Sequence, residues 1–420
     1  MRRGLFVEAA VVICLAVVLG AVSAGFGGPP IGPDEGLPRV SWQDAEQVVG
    51  RVAFVSGRVI RVGSSSKTHF LDFEEAKPPR FKAVVFTSDL ARFPAPLKEL
   101  YEGKVVRIRG FVRTYAEVPE IQISDPRQVE VLADLPPVEP VKRRGKPLGP
   151  EITVATYNVE NLFDDVNDPY RDDDSTPAKP REELERVARP LREIDADVVA
   201  LQEVENRGYL ERFVEAFLGD MGYEVVHFEG NDVRGIDVAL LSRVPVGVVR
   251  SYRHLTFPDA NGKPRRFCRD LLAVELLPPE APPLEVWVLH LKSSSGGREE
   301  AEPVRVGEAR KVRALLDEQL GRNPAARILV CGDFNDVWES AATQALAGTG
   351  ATAMKSFIAG LPADQQITYN RQPYLSMIDF ILASPAAGGQ YVEGSYRVWS
   401  TAPDASGSDH NPVSARFRVK

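Results

Sequence analysis

Six apolar runs in residues 151–420 of this 420-residue chain are each followed by acid, amide or imidazole side chains. The runs have the composition of buried strands, so the polar groups stand at or near strand ends. A polar group there is costly unless it is paired or holds a metal. Ligand sites in α/β sheets lie beyond the strand ends. We therefore expect one shared site built from the segments TYNVEN, LQE, LHLK, CGDFND, MID and SDHN.

The chemistry of these groups favours a hard divalent cation. Carboxylates and amides dominate, two histidines join them, and there is no pair of thiols. Such donors suit Mg²⁺ or Mn²⁺ better than a structural zinc. The sequence has no glycine-rich phosphate loop, dinucleotide-binding fingerprint or Gly-x-Ser-x-Gly elbow. Metal-assisted hydrolysis of a phosphate ester is the interpretation that remains.

The amino-terminal end of the chain predicts export. In residues 1–28, Arg2 and Arg3 precede an uncharged apolar stretch from Ala9 to Ala24. This is typical of a cleaved signal peptide, and the alternative is an uncleaved anchor. We expect a secreted, periplasmic or envelope-anchored protein, with no stable membrane partner unless the leader is retained. A linker rich in proline and glycine follows at residues 29–38.

The periodicity of the chain changes twice after this linker. Residues 39–134 show about five short apolar runs of period two, which predict a small antiparallel barrel. The runs GRVIRVGSSSKTHFLDF, FKAVVFTSDLARF and YEGKVVRIRGFV resemble an OB-fold module. Residues 135–150 are a proline-rich basic linker. Strand-like runs alternate with helical patterns in residues 151–420, which predicts an α/β domain.

Charge is distributed unevenly between these segments. The whole chain carries a net charge of −8, which taken alone argues against a protein that holds nucleic acid. The predicted barrel and basic linker together carry +5, whereas residues 151–420 carry −12. Much of the acidity therefore lies where carboxylates would hold a metal. A nucleic-acid substrate is compatible with this distribution.

Seven motifs in order, TYNVENLFD, DADVVALQEVEN, GIDVALLSR, HLKSS, CGDFND, IDFILAS and SDHNPV, closely resemble the endonuclease/exonuclease/phosphatase superfamily. The resemblance spans about residues 151–420 and is greatest to the bacterial extracellular nuclease branch, which is deoxyribonuclease I-like. It implies a four-layered α/β sandwich in which two stacked, mainly antiparallel sheets lie between outer helices. It also implies a hydrolase of phosphate esters that depends on Mg²⁺ or Mn²⁺, with its site at one edge of the stack.

The same resemblance assigns roles to individual residues. It implies that Asp333 orients or deprotonates the attacking water, and that Asp379 pairs with His410. His290 would donate to the phosphate or protonate the leaving oxygen, and Asn335 would steady the phosphate oxygens. The metal ligands that it implies are Asn158, Glu203 and Asp409.

Other polar residues fit less specific roles. Arg234, Asp237 and Arg269 would grip phosphate or brace the site, since arginine is suited to phosphate. The remaining possible phosphate or substrate contacts are Glu160 and Lys292. The acidic run at residues 172–174 invites a Ca²⁺ site, but we favour a solvated loop because the glycine and glutamate of an EF-hand are missing. We expect surface or core positions for His69, His227 and His254.

We expect a metal-dependent phosphodiesterase, and we favour a nuclease acting on DNA or RNA, present as a monomer. OB-like barrels commonly present a strand face to single-stranded nucleic acid, and the basic KRRGK would help hold a polyanion. The alternative is a phosphatase, or a phospholipid phosphodiesterase of the sphingomyelinase or inositol phosphate type, because the fold alone does not specify the ester. A protein that only grips phosphate is the third hypothesis.

Overall fold

A computed structural model describes residues 31–32, 34–136, 146–173, 175–294, 296–400 and 407–419. The predicted leader and most of the basic linker lie outside the described residues. Within the described ranges, no helix combines the length and the apolar character needed to cross a membrane.

Residues 39–132 form a single sheet of short strands. They are β1 (Arg39–Ser41), β2 (Val52–Arg58), β3 (Arg61–Ser64), β4 (Thr68–Asp72), β5 (Lys82–Phe86), β6 (Val105–Tyr115), β7 (Val118–Gln122) and β8 (Val129–Leu132). The strand order is β1-β2-β6-β7-β5-β4-β3, with β8 also paired to β6. A 3-10 helix (Thr87–Arg92) and the short helix α1 (Leu97–Tyr101) connect β5 to β6. The OB-fold assignment of this segment stays a prediction.

Period-two sequence explains why these residues form strands. Along β6, Val106, Ile108 and Val112 are buried, whereas Phe111 and Tyr115 are exposed. Successive side chains of a strand point to opposite faces, so one face of β6 packs into the core and the other faces solvent. The buried face joins the apolar cluster that includes Val55, Leu71 and Ile121.

The rest of the described chain alternates strands with helices. The strands are β9 (Glu151–Leu162), β10 (Val198–Val204), β11 (Glu224–His227), β12 (Asp237–Ser242), β13 (Val246–Ser251), β14 (Phe257–Pro258), β15 (Pro264–Arg265), β16 (Leu272–Leu276), β17 (Leu284–His290), β18 (Ile328–Asp333), β19 (Asp379–Ala383), β20 (Arg397–Val398) and β21 (Val413–Arg418). The helices are α2 (Arg181–Ile194), α3 (Arg207–Leu218), α4 (Arg298–Arg322), α5 (Ala341–Ala347) and α6 (Pro385–Gly388).

Two stacked sheets lie between helices, which confirms the predicted four-layered α/β sandwich. One sheet has the order β11-β12-β10-β9-β21-β20 and the other β13-β16-β17-β18-β19. Only β9 with β10 and β17 with β18 pair in parallel within these two sheets, so both are mainly antiparallel. In β10, Val198 and Ala200 share a core cluster with the second sheet, whereas Val199 and Leu201 pack with residues of α2 and α3. Helix α4 packs on the second sheet through Val312 and its neighbours.

The described part of the predicted linker 29–38 packs against the α/β region. Ile31 is buried in the cluster that contains α3, and the Arg212 guanidinium of α3 donates to the Ile31 and Gly32 carbonyl oxygens. Asp34 in turn pairs with Arg109 of β6, with 2.6 Å between Oδ1 and Nε. This segment therefore connects the β6 strand of the small sheet to helix α3.

Candidate active site

Pairing between neighbouring strands brings the predicted catalytic residues together. His290 ends β17, Asp333 ends β18 and Asp379 begins β19. The register sets His290 opposite Asp333, and Asp333 opposite Asp379. Three residues far apart in the sequence therefore lie side by side at one edge of the second sheet. Asn158 of β9 and His410, just before β21, approach them from the first sheet.

Asp333 lies at the centre of this cluster. Its Oδ2 accepts a hydrogen bond from Asn158 Nδ2 at 3.1 Å, and His290 Nε2 and His410 Nε2 lie 3.4 and 3.8 Å from the same oxygen. Its Oδ1 accepts the Asn335 backbone N–H at 2.7 Å. Burial, followed by the charge of Asp379, raises the pKa of Asp333 to about 7. The carboxyl group is therefore held where it can gain or lose a proton near neutral pH.

The predicted pair of Asp379 and His410 is present in the geometry. His410 Nδ1 lies 2.8 Å from Asp379 Oδ2, and both side chains are buried. Burial acts to lower the pKa of His410, but the charge and hydrogen bond of Asp379, together with Asp333, raise it to about 10. This imidazole is therefore protonated at neutral pH, with Nε2 directed toward the cluster.

His290 has the opposite electrostatic character. Burial, followed by the positive charges of Arg269 and His410, holds the pKa of His290 well below its ordinary value. Its Nδ1 atom is buried and has no hydrogen-bond partner among the described residues. The two imidazoles beside Asp333 thus differ in protonation state, one neutral and one cationic.

The predicted metal ligands border the same cluster. Glu203 lies at a bulge in β10, where its Oε1 accepts from Asn158 Nδ2 at 3.2 Å and its Oε2 accepts the Asn161 N–H at 3.1 Å. Burial raises the pKa of Asp409, and the neighbouring charge of Glu203 adds to this rise. Crowded carboxylates beside an amide are oxygen donors that suit Mg²⁺ or Mn²⁺. The residues present therefore fit a hard divalent cation.

Asn335 and Glu160 each form a hydrogen bond with a segment of the site that is distant in the sequence. The Asn335 Nδ2 donates to the Leu291 carbonyl at 3.0 Å and lies 3.3 Å from Asp333 Oδ2. Glu160 Oε2 accepts the Asp409 N–H at 2.9 Å. Glu160 is thus placed to position the loop that carries Asp409, and no metal contact is needed to explain it.

The residues with less specific predicted roles differ in how deeply they are buried. Asp237 and Arg269 are buried, as are Asp333 and His290, and a role for either in gripping phosphate or bracing the site stays a prediction. Arg269 Nε lies 3.2 Å from Asp232 Oδ2. Arg234 and Lys292 are half-buried, and the charge of each acts on His290. These two side chains stay predicted phosphate contacts.

Sequence reasoning missed two groups at the mouth of the site. Arg371 lies 2.5 Å from Glu160 Oε1 and 3.3 Å from Asp409 Oδ2, and its side chain is largely exposed. The Tyr369 ring meets the His410 ring edge to face at 5.3 Å between centroids. The only signal was a basic and aromatic loop, TYNRQP, shortly before the MID motif.

Helix α4 supplies a buried brace that sequence reasoning also missed. Arg305 Nη2 lies 2.9 Å from Asp336 Oδ2, and Arg305 Nη1 donates to the Lys292 carbonyl at 2.7 Å. Glu308 Oε2 accepts the Lys292 N–H at 2.7 Å. Two charged side chains of one helix therefore tie the HLKS segment to the GDFND segment.

The backbone at this edge is unusual. Four non-glycine residues of the site have φ in the left-handed region, which L-residues rarely adopt. They are Glu160 (+48°), Asn161 (+57°), Glu203 (+64°) and Asn335 (+53°). Such conformations concentrate at functional sites, where the surrounding structure holds them. The backbone thus independently marks the same edge as the polar cluster.

Residues 153–398 match the model of the endonuclease/exonuclease/phosphatase family. More than half of the chain is matched, and the chain therefore belongs to this family. The fold and the site define a phosphoesterase hydrolase of that superfamily, with acidic groups that can form a metal site.

Several solved structures are similar to this chain. The catalytic domain of human Nocturnin with bound sulfate anion is 19% identical with a TM-score of 0.46, over 65% of this chain and 96% of that one. Truncated Caenorhabditis elegans TDP2 is 16% identical with a TM-score of 0.45, over 64% and 97%. The endonuclease/exonuclease/phosphatase from Bacteroides vulgatus is 19% identical with a TM-score of 0.46, over 64% and 99%. No significant match was found among curated proteins.

Proposed function

We propose that this chain is an exported, metal-dependent nuclease that hydrolyses phosphodiester bonds of DNA or RNA. The observation that carries the proposal is the Asp333 carboxyl group between a neutral and a cationic imidazole, at 3.4 and 3.8 Å. Hydrolysis of a phosphodiester needs a proton acceptor for water and donors for the phosphate oxygens. These three side chains supply both.

The roles follow from the protonation states. Asp333, with a pKa of about 7, accepts a proton from the attacking water as its oxygen approaches phosphorus. His410, held cationic by Asp379, stabilises the negative charge that develops on the phosphate and donates its Nε2 proton to the oxygen that leaves when the P–O ester bond breaks. Neutral His290 donates a hydrogen bond to the phosphate, a role its low pKa favours over protonation of the leaving oxygen.

A divalent cation would add positive charge next to the phosphate. Asn158, Glu203 and Asp409 would hold Mg²⁺ or Mn²⁺, which when bound neutralises charge on the phosphate. Arg371 lies against the Asp409 carboxylate and is exposed, so its guanidinium is positioned to meet a phosphate that enters the site.

The small sheet supports nucleic acid as the substrate. One face of β6, here called the β6 stripe, presents Arg107, Arg109, Phe111, Arg113 and Tyr115 at alternate positions. Phe111 and Tyr115 are 55% and 63% exposed. The three arginines pair with Glu130, Asp34 and Glu120, so the exposed aromatic rings are the part of the stripe that best suits stacked bases. The strand order, with a helix between β5 and β6, also supports the OB-fold interpretation, and the leader in residues 1–28 supports export.

The proposal is tested with the purified chain and three substrates: DNA, RNA and sphingomyelin. We expect cleavage of DNA or RNA with Mg²⁺ or Mn²⁺, loss of cleavage with chelator, and no action on the lipid. Glu203→Gln and His410→Asn should each abolish cleavage, while the exposed control Glu318→Gln on α4 should retain it. Cleavage by both site variants at the wild-type rate, or hydrolysis of the lipid alone, would contradict the proposal.

A further inference from the structure

We propose a second divalent-cation site, formed by His227, Glu229 and Asp237, that takes Zn²⁺ or Mn²⁺. It lies outside the catalytic cluster and does not rest on the proposed function. Neither His227 nor Glu229 belongs to any of the motifs that defined the family resemblance.

Strand pairing brings these three residues together. His227 ends β11 and Asp237 begins β12, and the antiparallel register sets His227 opposite Ala239. Glu229 follows His227 by two residues, so it reaches the level of Asp237. One ligand atom from each of the three side chains lies within 4.8 Å of the other two.

Two of the three ligand atoms are buried without a hydrogen bond. His227 Nε2 and Asp237 Oδ2 lie 3.5 Å apart, and neither forms a hydrogen bond of normal geometry among the described residues, although the Asp237 and Glu229 carboxyl groups lie close enough to share a proton. His227 is 6% exposed and Asp237 is fully buried. A buried carboxylate oxygen and a buried imidazole nitrogen without partners carry a large desolvation cost. A cation coordinated by both atoms would remove that cost.

The charges around the cluster also favour a cation. Asp270 is buried, its Oδ2 has no partner in the described ranges, and its charge acts on both His227 and Asp237. The nearest described counter-charge on Glu229 is Arg171, whose Nη2 lies 3.6 Å from Glu229 Oε2. The charge of Arg207 also acts on His227, so two arginines lie near three carboxylates and the cluster keeps an excess of acidic groups.

The cluster is preorganised on one side and open on the other. The second oxygen of Asp237, Oδ1, is fixed by the Gly230 N–H at 2.7 Å. Glu229 is about half exposed and gives an ion access from solvent. A rigid buried ligand pair with one solvent-facing carboxylate is a workable arrangement for loading a cation.

The donor set selects the class of metal. One imidazole nitrogen with two carboxylates suits Zn²⁺ or Mn²⁺, whereas Mg²⁺ and Ca²⁺ prefer oxygen donors alone. Asp237 pairs across the sheet with Val204, the neighbour of Glu203. An ion here would therefore stabilise the strand end that carries a predicted catalytic metal ligand.

Metal counting on the full chain tests the site. A Glu203→Gln parent, in which the catalytic metal site is weakened, is dialysed against Zn²⁺ and separately against Mn²⁺, and metal per chain is measured by mass spectrometry. We expect one retained ion. Adding His227→Asn or Glu229→Gln should weaken its retention by at least about tenfold, because removing a direct ligand exceeds the effect of an outer-shell change. Adding the matched control His254→Asn, an exposed histidine, should leave it unchanged.

Thermal unfolding separates loss of the ion from loss of the fold. Glu229 is partly exposed, so Glu229→Gln should match the parent in chelator and lose only the increase in melting temperature that Zn²⁺ produces. A parent that retains no ion from either metal, or His227→Asn and Glu229→Gln variants that retain it as tightly as the parent, would overturn the proposal.

Discussion

The two sheet systems of this chain place their charged groups differently. In residues 39–132, the only buried polar or charged side chains are those of Ser56 and Glu120. At the active-site edge, Asn158, Asp333 and His410 are all buried and contact one another. The small sheet is therefore stabilised by apolar packing with polar groups at its surface. The active-site edge instead buries a polar cluster beside the apolar core of the α/β region.

The backbone conformations of the two sheet systems also differ. Within residues 39–132 the non-glycine residues with positive φ are Ala116 and Glu117, which form the two-residue turn between β6 and β7. Such turns require this conformation for geometric reasons. At the active-site edge, the left-handed residues include Glu203 and Asn335, which occur outside any tight hairpin. Four of the six left-handed non-glycine residues described in the α/β region lie at the site, the other two being Asp195 and Glu280, whereas both of those in the small sheet serve chain reversal.

The largest effect is expected from removing the central carboxylate. Asp333→Asn should lower kcat by about 10³-fold, since general-base catalysis contributes about 10² to 10⁴. Its melting temperature should not fall, because burial already disfavours the charged form of Asp333. Kinetics and thermal unfolding measure both quantities, with the exposed Asp364→Asn as control. Asp333→Asn activity within threefold of wild type would rule out the proposed base.

The buried brace on α4 should give the largest stability effect. Arg305→Leu leaves Asp336 buried without its main partner, and breaking a buried ion pair in this way costs about 3 to 5 kcal/mol. Urea unfolding should show this loss, and Arg305→Leu with Asp336→Leu should recover part of it. In the small sheet, Arg61→Leu should change stability little, since the pair of Arg61 with Asp72 is exposed. Equal losses of stability in Arg305→Leu and Arg61→Leu would contradict the difference between the two regions.

The β6 stripe should affect binding without affecting the chemical step. Phe111→Ala with Tyr115→Ala should weaken affinity for single-stranded nucleic acid by at least about 30-fold, because stacking contributes about 1 to 3 kcal/mol per base and two rings are removed. Fluorescence anisotropy measures the affinity, and Val248→Ala, exposed on β13, is the control. Unchanged affinity in the double variant would limit the small sheet to a structural role.

The smallest effect concerns pH, and the two regions should respond with opposite sign. Arg127 holds the pKa of Asp125 at about 2, so this carboxylate contributes stability above pH 3.8 that is lost as pH falls toward 2. Burial raises the pKa of Asp270 to about 6, so stability is lost as pH rises from 3.8 through 6. Melting temperature is recorded against pH in chelator. Asp125→Asn should remove the fall in melting temperature toward pH 2 that Asp125 causes, and Asp270→Asn should remove the fall that Asp270 causes as pH rises through 6. A variant whose profile matches wild type would refute the assignment for its region.

The sequence predicts the α/β character and the site motifs because each depends on local pattern, whereas the four layers are implied by the family resemblance. Period-two runs mark β6, and polar residues at strand ends mark Asp333 and His290. The bulge at Glu203 and the positions of Arg371 and Tyr369 depend on contacts between distant segments, which periodicity does not encode. Arg305 was missed for a related reason, since a charged residue in a helix is normally solvated and only the packing of α4 buries it.

The central claim is that Asp333 and His410 act as one unit, and a double-mutant cycle tests it most directly. The rate of plasmid cleavage in Mg²⁺ is measured for wild type, Asp333→Asn, His410→Asn and the double variant. Residues that act together give strongly non-additive losses, so the double variant should be about as slow as the slower single variant. Losses that multiply independently, or single variants that cut at the wild-type rate, would contradict the account.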